Sequence, residues 1–165
     1  MDPASTLIGL SEISLALAGF AAIVLVLGTN GVTIEPEHAA NVRIMVLNAV
    51  GTAFFCLAGV AVLALEVAAP FAWRLMSAAG LFTLIAGSAM NYLLFLRHLE
   101  APDLRSAIVW WSLAVAAGAI QLVNALGVLG PPSFGLFLLG LVVLLSQAGA
   151  HFVHMVFVLV GRSAS

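Results

Sequence analysis

The chain has 165 residues, of which 64% are hydrophobic and only 7% charged, with a formal net charge of -2; a soluble domain carries roughly 25% charged residues and uses them to cover its surface. There is no lysine, which excludes Schiff-base chemistry and a phosphate-binding P-loop, and the few arginines form no basic cluster that would hold nucleic acid. The single cysteine, Cys56, excludes an intrachain disulfide and a Cys-x-x-Cys metal or redox site.

A transmembrane helix needs about 20 mainly apolar residues, and in chain order the sequence supplies five such stretches, at about 6–28, 41–66, 73–97, 105–129 and 133–161. The first runs well past the apolar core of a signal peptide and lacks a basic leader, so it is expected to stay in the mature protein. Glu12 interrupts it. About a dozen large apolar residues at roughly 0.3–0.6 kcal/mol each outweigh the roughly 3 kcal/mol cost of one central acid. Before the second stretch, Asn30-Gly31 and Glu35-Pro36-Glu37 read as a turn followed by a helix start. The fourth and fifth stretches cannot be one helix, because Gly130-Pro131-Pro132 removes backbone donors and disfavours helix before each proline; Ser133 then reads as an N-cap. The expected architecture is all-α: one integral membrane five-helix bundle over residues 1–165, with short loops and no room for a soluble domain between helices.

Five spans put the ends of the chain on opposite sides of the membrane. Arg43, Arg97, Arg105 and Arg162 flank one side and Arg74 alone the other, so the positive-inside rule predicts a cytoplasmic C-terminus and an outside N-terminus. Trp73 is expected to anchor the outer interface, and Trp110 and Trp111 are expected to be belt residues at the inner one or lipid-facing packing.

Polar residues in hydrocarbon are the informative ones, because such groups face protein or water. At 1.5 Å per residue, Glu12, Gln121 and Asn124 fall in the outer half, Gln147 near the midplane, and Asn48, Asn91, His151 and His154 in the inner half. Helical spacing groups them into stripes. The fifth helix offers Gly140, Gln147, His151 and His154. The third offers Ser77, Gly80, Gly87 and Asn91, continued by His98, and the second Asn48, Thr52 and Cys56. The fourth offers Ala114, Ala117, Gln121 and Asn124, and the first Ser14, Ala18 and Ala22. One reading makes these packing seams joined by interhelical hydrogen bonds. The other makes them a polar file from Glu12 through Gln121 and Gln147 to the histidines, suited to a proton, an ion or a small polar solute. Glu12 pairs with Arg74, the only arginine on its side, or stands unpaired as a proton or cation site; the sequence leaves both open. His151 and His154 fall short of a metal or haem ligand set, so no cofactor is expected.

Ser11-Glu12-Ile13, Leu17-Ala18-Gly19-Phe20 and Ile23-Val24 in the first helix, Arg43 opening the second, Trp73-Arg74 opening the third and Gln121-Leu122-Val123-Asn124 in the fourth resemble a pattern in small bacterial membrane proteins of unknown function. The resemblance implies several helices in a bacterial inner membrane and implies no activity.

Two functions fit. The first is a homo-oligomer that encloses a channel or solute path, since five short-looped helices leave little room for one inside a single chain. In it the polar face of the fifth helix, Gln147, His151 and His154, lines the shared surface. The second is a non-conducting accessory or scaffolding subunit of a larger membrane complex. No nucleophile, base and orienting group converge at one depth, so an enzyme is not expected.

Overall fold

The computed structural model describes residues 2–29, 36–94 and 104–163, and the side chains of 2–23, 42–90, 93 and 111–157. Five α-helices follow one another: α1 (Pro3–Thr29), α2 (Pro36–Ala64), α3 (Ala69–Leu94), α4 (Leu104–Leu126) and α5 (Phe134–Ser163). The connections at 30–35 and 95–103, with Arg97 and His98, lie outside the described residues, as do the side chains of Asn91, Arg105, Trp110 and Arg162.

Local chemistry sets the described helix ends. Asp2 caps α1 by accepting the Ser5 backbone N–H at 3.0 Å and the Ser5 hydroxyl, and Pro3 occupies the first helical position, where a missing N–H costs nothing. The hydrogen bonds from Ser5 hold the Asp2 carboxyl below the usual carboxylate range. Between α4 and α5, Gly127 adopts φ 70°. Its N–H donates to Asn124 O at 3.2 Å, and the Val128 N–H donates to Val123 O at 3.2 Å. These two bonds satisfy the last carbonyls of α4 in the left-handed glycine termination. As the sequence predicts, Ser133 caps α5, its hydroxyl accepting the Leu136 N–H at 3.4 Å.

The α2 terminus lacks this glycine. Glu66, exposed, takes φ 54° with its N–H donating to Leu63 O at 3.1 Å. A residue with a Cβ is disfavoured there, so Glu66→Gly is expected to raise stability by about 1 kcal/mol. Thermal unfolding in detergent checks it, and a lower melting temperature than wild type would count against the assignment.

Packing follows the sequence in pairs, α1 on α2 and α3 on α4, and α5 then inserts between the pairs, packing chiefly against α2 and α4. Contact between α2 and α3 is slight by comparison. At the end where the chain enters α1, Leu7, Trp73 and Phe137 converge over Gly59, so four helices meet at one level. Phe55, Cys56, Met76 and Leu141 extend this cluster. A second apolar cluster at the opposite end joins Ala21, Val42, Met45, Ala148 and Met155 of α1, α2 and α5.

The outer faces are apolar. Phe20, Phe54, Phe82, Ile85 and Phe157 are all exposed, a surface suited to lipid rather than water. Four helices, at Pro3–Ile23, Val42–Ala64, Ala69–Met90 and Phe134–Phe157, are long and apolar enough to cross a membrane, and the described part of α4 adds an apolar segment at Trp111–Leu126. The chain is thus a multi-pass membrane protein on the length and composition of its helices.

Trp73 corrects an expectation. It is not an exposed interface anchor: only 4% of its surface remains accessible, and its ring lies against Phe137 at 5.5 Å and Phe134 at 5.2 Å between centroids. Trp111 is exposed, as a lipid-facing or belt residue would be.

Candidate functional site

The polar residues gather in two places, both centred on α5. At the first, near the α4–α5 turn, the Asn124 amide donates to Ser77 Oγ at 2.8 Å and to Ser133 O at 3.0 Å, and its Oδ1 accepts the Ser133 N–H at 2.8 Å. One buried side chain therefore ties α3, α4 and the entrance to α5 together. One turn deeper, Gln121 Nε2 donates to the Phe137 carbonyl at 3.2 Å. Gln121 lies between two glycines: a Cβ on Gly80 would be 3.9 Å away, in ordinary contact, whereas a Cβ on Gly140 would overlap the Gln121 amide. The helices reach this separation because position 140 has no side chain.

At the second place, between α2 and α5, Asn48 Nδ2 donates to Gln147 Oε1 at 3.1 Å. Thr52 and Cys56 continue from Asn48 along the buried face of α2, and His151 lies one turn beyond Gln147 on α5, also buried. Thr52 Oγ1 and Gln121 Oε1 are buried oxygens with no hydrogen bond among the described residues.

The stripes on α2 and α4 each turn toward the bundle, at separate places: Thr52 and Cys56 are buried and Asn48 partly buried, and Ala117, Gln121 and Asn124 are buried with Ala114 partly so. Other stripes are corrected. On α3, Ser77 and Gly80 are buried but Gly87 is exposed. On α1 the buried polar residues are Ser11 and Ser14, whereas Ala22 is exposed. The hydroxyls of Ser11 and Ser14 donate to Ile8 O at 2.8 Å and Leu10 O at 2.7 Å of their own helix, which satisfies them without a partner helix. The fifth-helix face divides. Gln147 and His151 are inside the bundle and only His154 is exposed, so this face is occupied by the chain's own helices rather than open to another copy.

Glu12 is not part of a file with Gln121 and Gln147. It is exposed on the face of α1 turned away from Ser11 and Ser14. Nor does it pair with Arg74 in the chain: no hydrogen bond or ion pair engages either side chain among the described residues. Arg74 is exposed, its guanidinium 3.7 Å from the place a Cβ on Gly127 would take. The sequence could identify Glu12 as costly but could not give its direction.

The two polar clusters are separate. Gly140 and Gln147 share a face of α5 but are seven residues, or about 10 Å, apart along it. Among the described residues, no group of three or more His, Cys, Asp or Glu gathers to hold a metal ion. No protein-family model, curated protein or solved structure matches the chain.

Proposed function

We propose that the protein is a five-span inner-membrane protein, N-terminus outside and C-terminus cytoplasmic, that acts as a packed, non-conducting member of a membrane assembly. The observation that carries this reading is the use of its intramembrane amides. Asn48, Gln121, Asn124 and Gln147 all make interhelical hydrogen bonds within the chain, as packing seams do. A solute path needs such groups free to exchange partners with what passes. The distribution of arginines, four against one, supports the orientation.

A second reading, a path for a proton or small polar solute, is favoured by Thr52 Oγ1 and Gln121 Oε1, which are buried and without hydrogen bonds. The two readings separate in proteoliposomes that contain the purified protein and a pH-sensitive dye. The first expects a pH gradient to decay no faster than in empty vesicles. A faster decay that Gln121→Leu abolishes would replace it with the second. A reporter fused after Ser165 tests the sidedness, and periplasmic activity of that fusion would refute it.

A further inference from the structure

We propose that the exposed face of α1 carrying Glu12 docks against the exposed face of α3 carrying Arg74 on a second copy of the chain. The argument starts from Glu12 itself. It stands within a span, nine residues beyond Pro3, on an exposed side of α1 that the described side chains leave uncovered. A carboxyl at this depth facing lipid is costly and is ordinarily turned toward protein or water. Gly9, Ala16 and Gly19 share its face at helical spacing, and a Cβ at either glycine would meet nothing within 4 Å. Another helix can therefore approach closely on either side of the acid.

The chain carries its own complement. Among the described residues Arg74 is the only arginine side chain at this end of the bundle, since Arg43 lies toward the other end of α2. Within one chain its guanidinium lies beside the α4–α5 turn, while α1 packs on α2 and α5.

Depth then matches between copies. Leu7 and Trp73 share one level over Gly59, so Glu12, five residues beyond Leu7, is level with Ala78, five residues beyond Trp73. Ala78 is exposed and one turn below Arg74 on the same face. Copies related by an axis normal to the membrane keep this register. Side chains tilt toward the start of their helix, and α1 and α3 both start at this end, so the Glu12 carboxyl rises past the small Ala78 toward Arg74, about 6 Å higher by helix rise, and the Arg74 side chain has to turn from the α4–α5 turn back toward the bilayer centre to meet it. Both side chains are long enough to span that difference. The contact joins two different surfaces, so it closes as a dimer with two such pairs or as a ring.

This inference deepens the reading of the protein as a member of an assembly. Its test is self-association of the full chain, measured by mass in nanodiscs and by concentration-dependent energy transfer in vesicles. Wild type is expected to self-associate, and E12R and R74E each to lose this by tenfold or more. An equal mixture of the two variants restores charge matching at every contact of a dimer or even-numbered ring, so it is expected to recover association. A pair formed within one chain would not be rescued by mixing. E12Q and R74Q, which remove one charge without reversing it, are expected to weaken association in the same order and serve if a reversal fails to fold. Wild type that stays a single chain overturns the proposal. So does association that the neutral variants leave unchanged, or folded reversal variants that mixing fails to rescue. Gradient decay in proteoliposomes is a separate readout, so failure of the docking leaves the non-conducting reading standing, and the converse.

Discussion

Gly140→Val is expected to destabilise the bundle by about 3 kcal/mol, combining an overpacking cost with loss of one interhelical hydrogen bond. Any Cβ at position 140 overlaps the Gln121 amide, and Gln121, 2% exposed, has room to give way only toward Gly80, by about the width of the missing Cβ. The new side chain must displace the amide from the Phe137 carbonyl or push α4 away from α5. Thermal unfolding in a fixed detergent measures the loss. Gly140→Ala should give a smaller loss of the same origin, and Gln121→Ala in that background should recover part of it, because the obstruction is gone. A coupling below about 0.5 kcal/mol between positions 121 and 140 would mean that the two do not meet as described.

Asn124→Ala is expected to cost about 2 kcal/mol, above the average of about 0.6 kcal/mol for an interhelical side-chain bond. The excess comes from the partner. Ser133 is held in the short segment after two prolines, and its N–H donates to Asn124 Oδ1 at 2.8 Å; when that acceptor is removed, the backbone donor has no alternative nearby. The Ser133 carbonyl is less vulnerable, because it also accepts the Phe137 N–H at 3.2 Å. Asn124→Asp keeps the acceptor for Ser133 but loses the two donations made by Nδ2 and buries a carboxyl. It should therefore be at least as harmful as alanine. Unfolding measurements on the three proteins decide the order, and a stable Asn124→Asp would show that the amide nitrogen's bonds contribute little.

The sequence and the structure agree where chemistry is absolute. Helices had to be long, because backbone groups in hydrocarbon need internal partners. The break at Gly130-Pro131-Pro132 and the Ser133 cap follow from what proline and serine do to a backbone. The inward direction of Gln121 and Asn124 follows for a similar reason, since an amide facing lipid has nothing to bond, whereas Gln147, expected on a surface shared between copies, is bonded instead to Asn48 of its own chain. Apolar faces offered no such guide. For Leu, Phe and Ala, lipid and bundle interior are nearly the same solvent, so no contrast marks which side of α1 packs on α2. Hence the stripe of Ser14 and Ala18 runs inward but its last member, Ala22, is exposed, and the outward direction of Glu12 was hidden. Trp73 misled differently. Its place at the edge of a span suits an interfacial belt, and only the nearness of Phe134 and Phe137, some 60 residues later, makes it core.

The position of α5 between two pairs of helices has a consequence for the order in which the chain is made. Synthesis delivers α1 with α2, then α3 with α4, and each pair can form from neighbours in sequence. The pairs share only a slight contact until the last helix arrives. Through that interval Asn48 waits for Gln147, made 99 residues later, and Gln121 waits for the Phe137 carbonyl. The half-built protein thus holds uncommitted amides in the bilayer, and the 30 residues of α5 act as the keystone that turns two hairpins into one body.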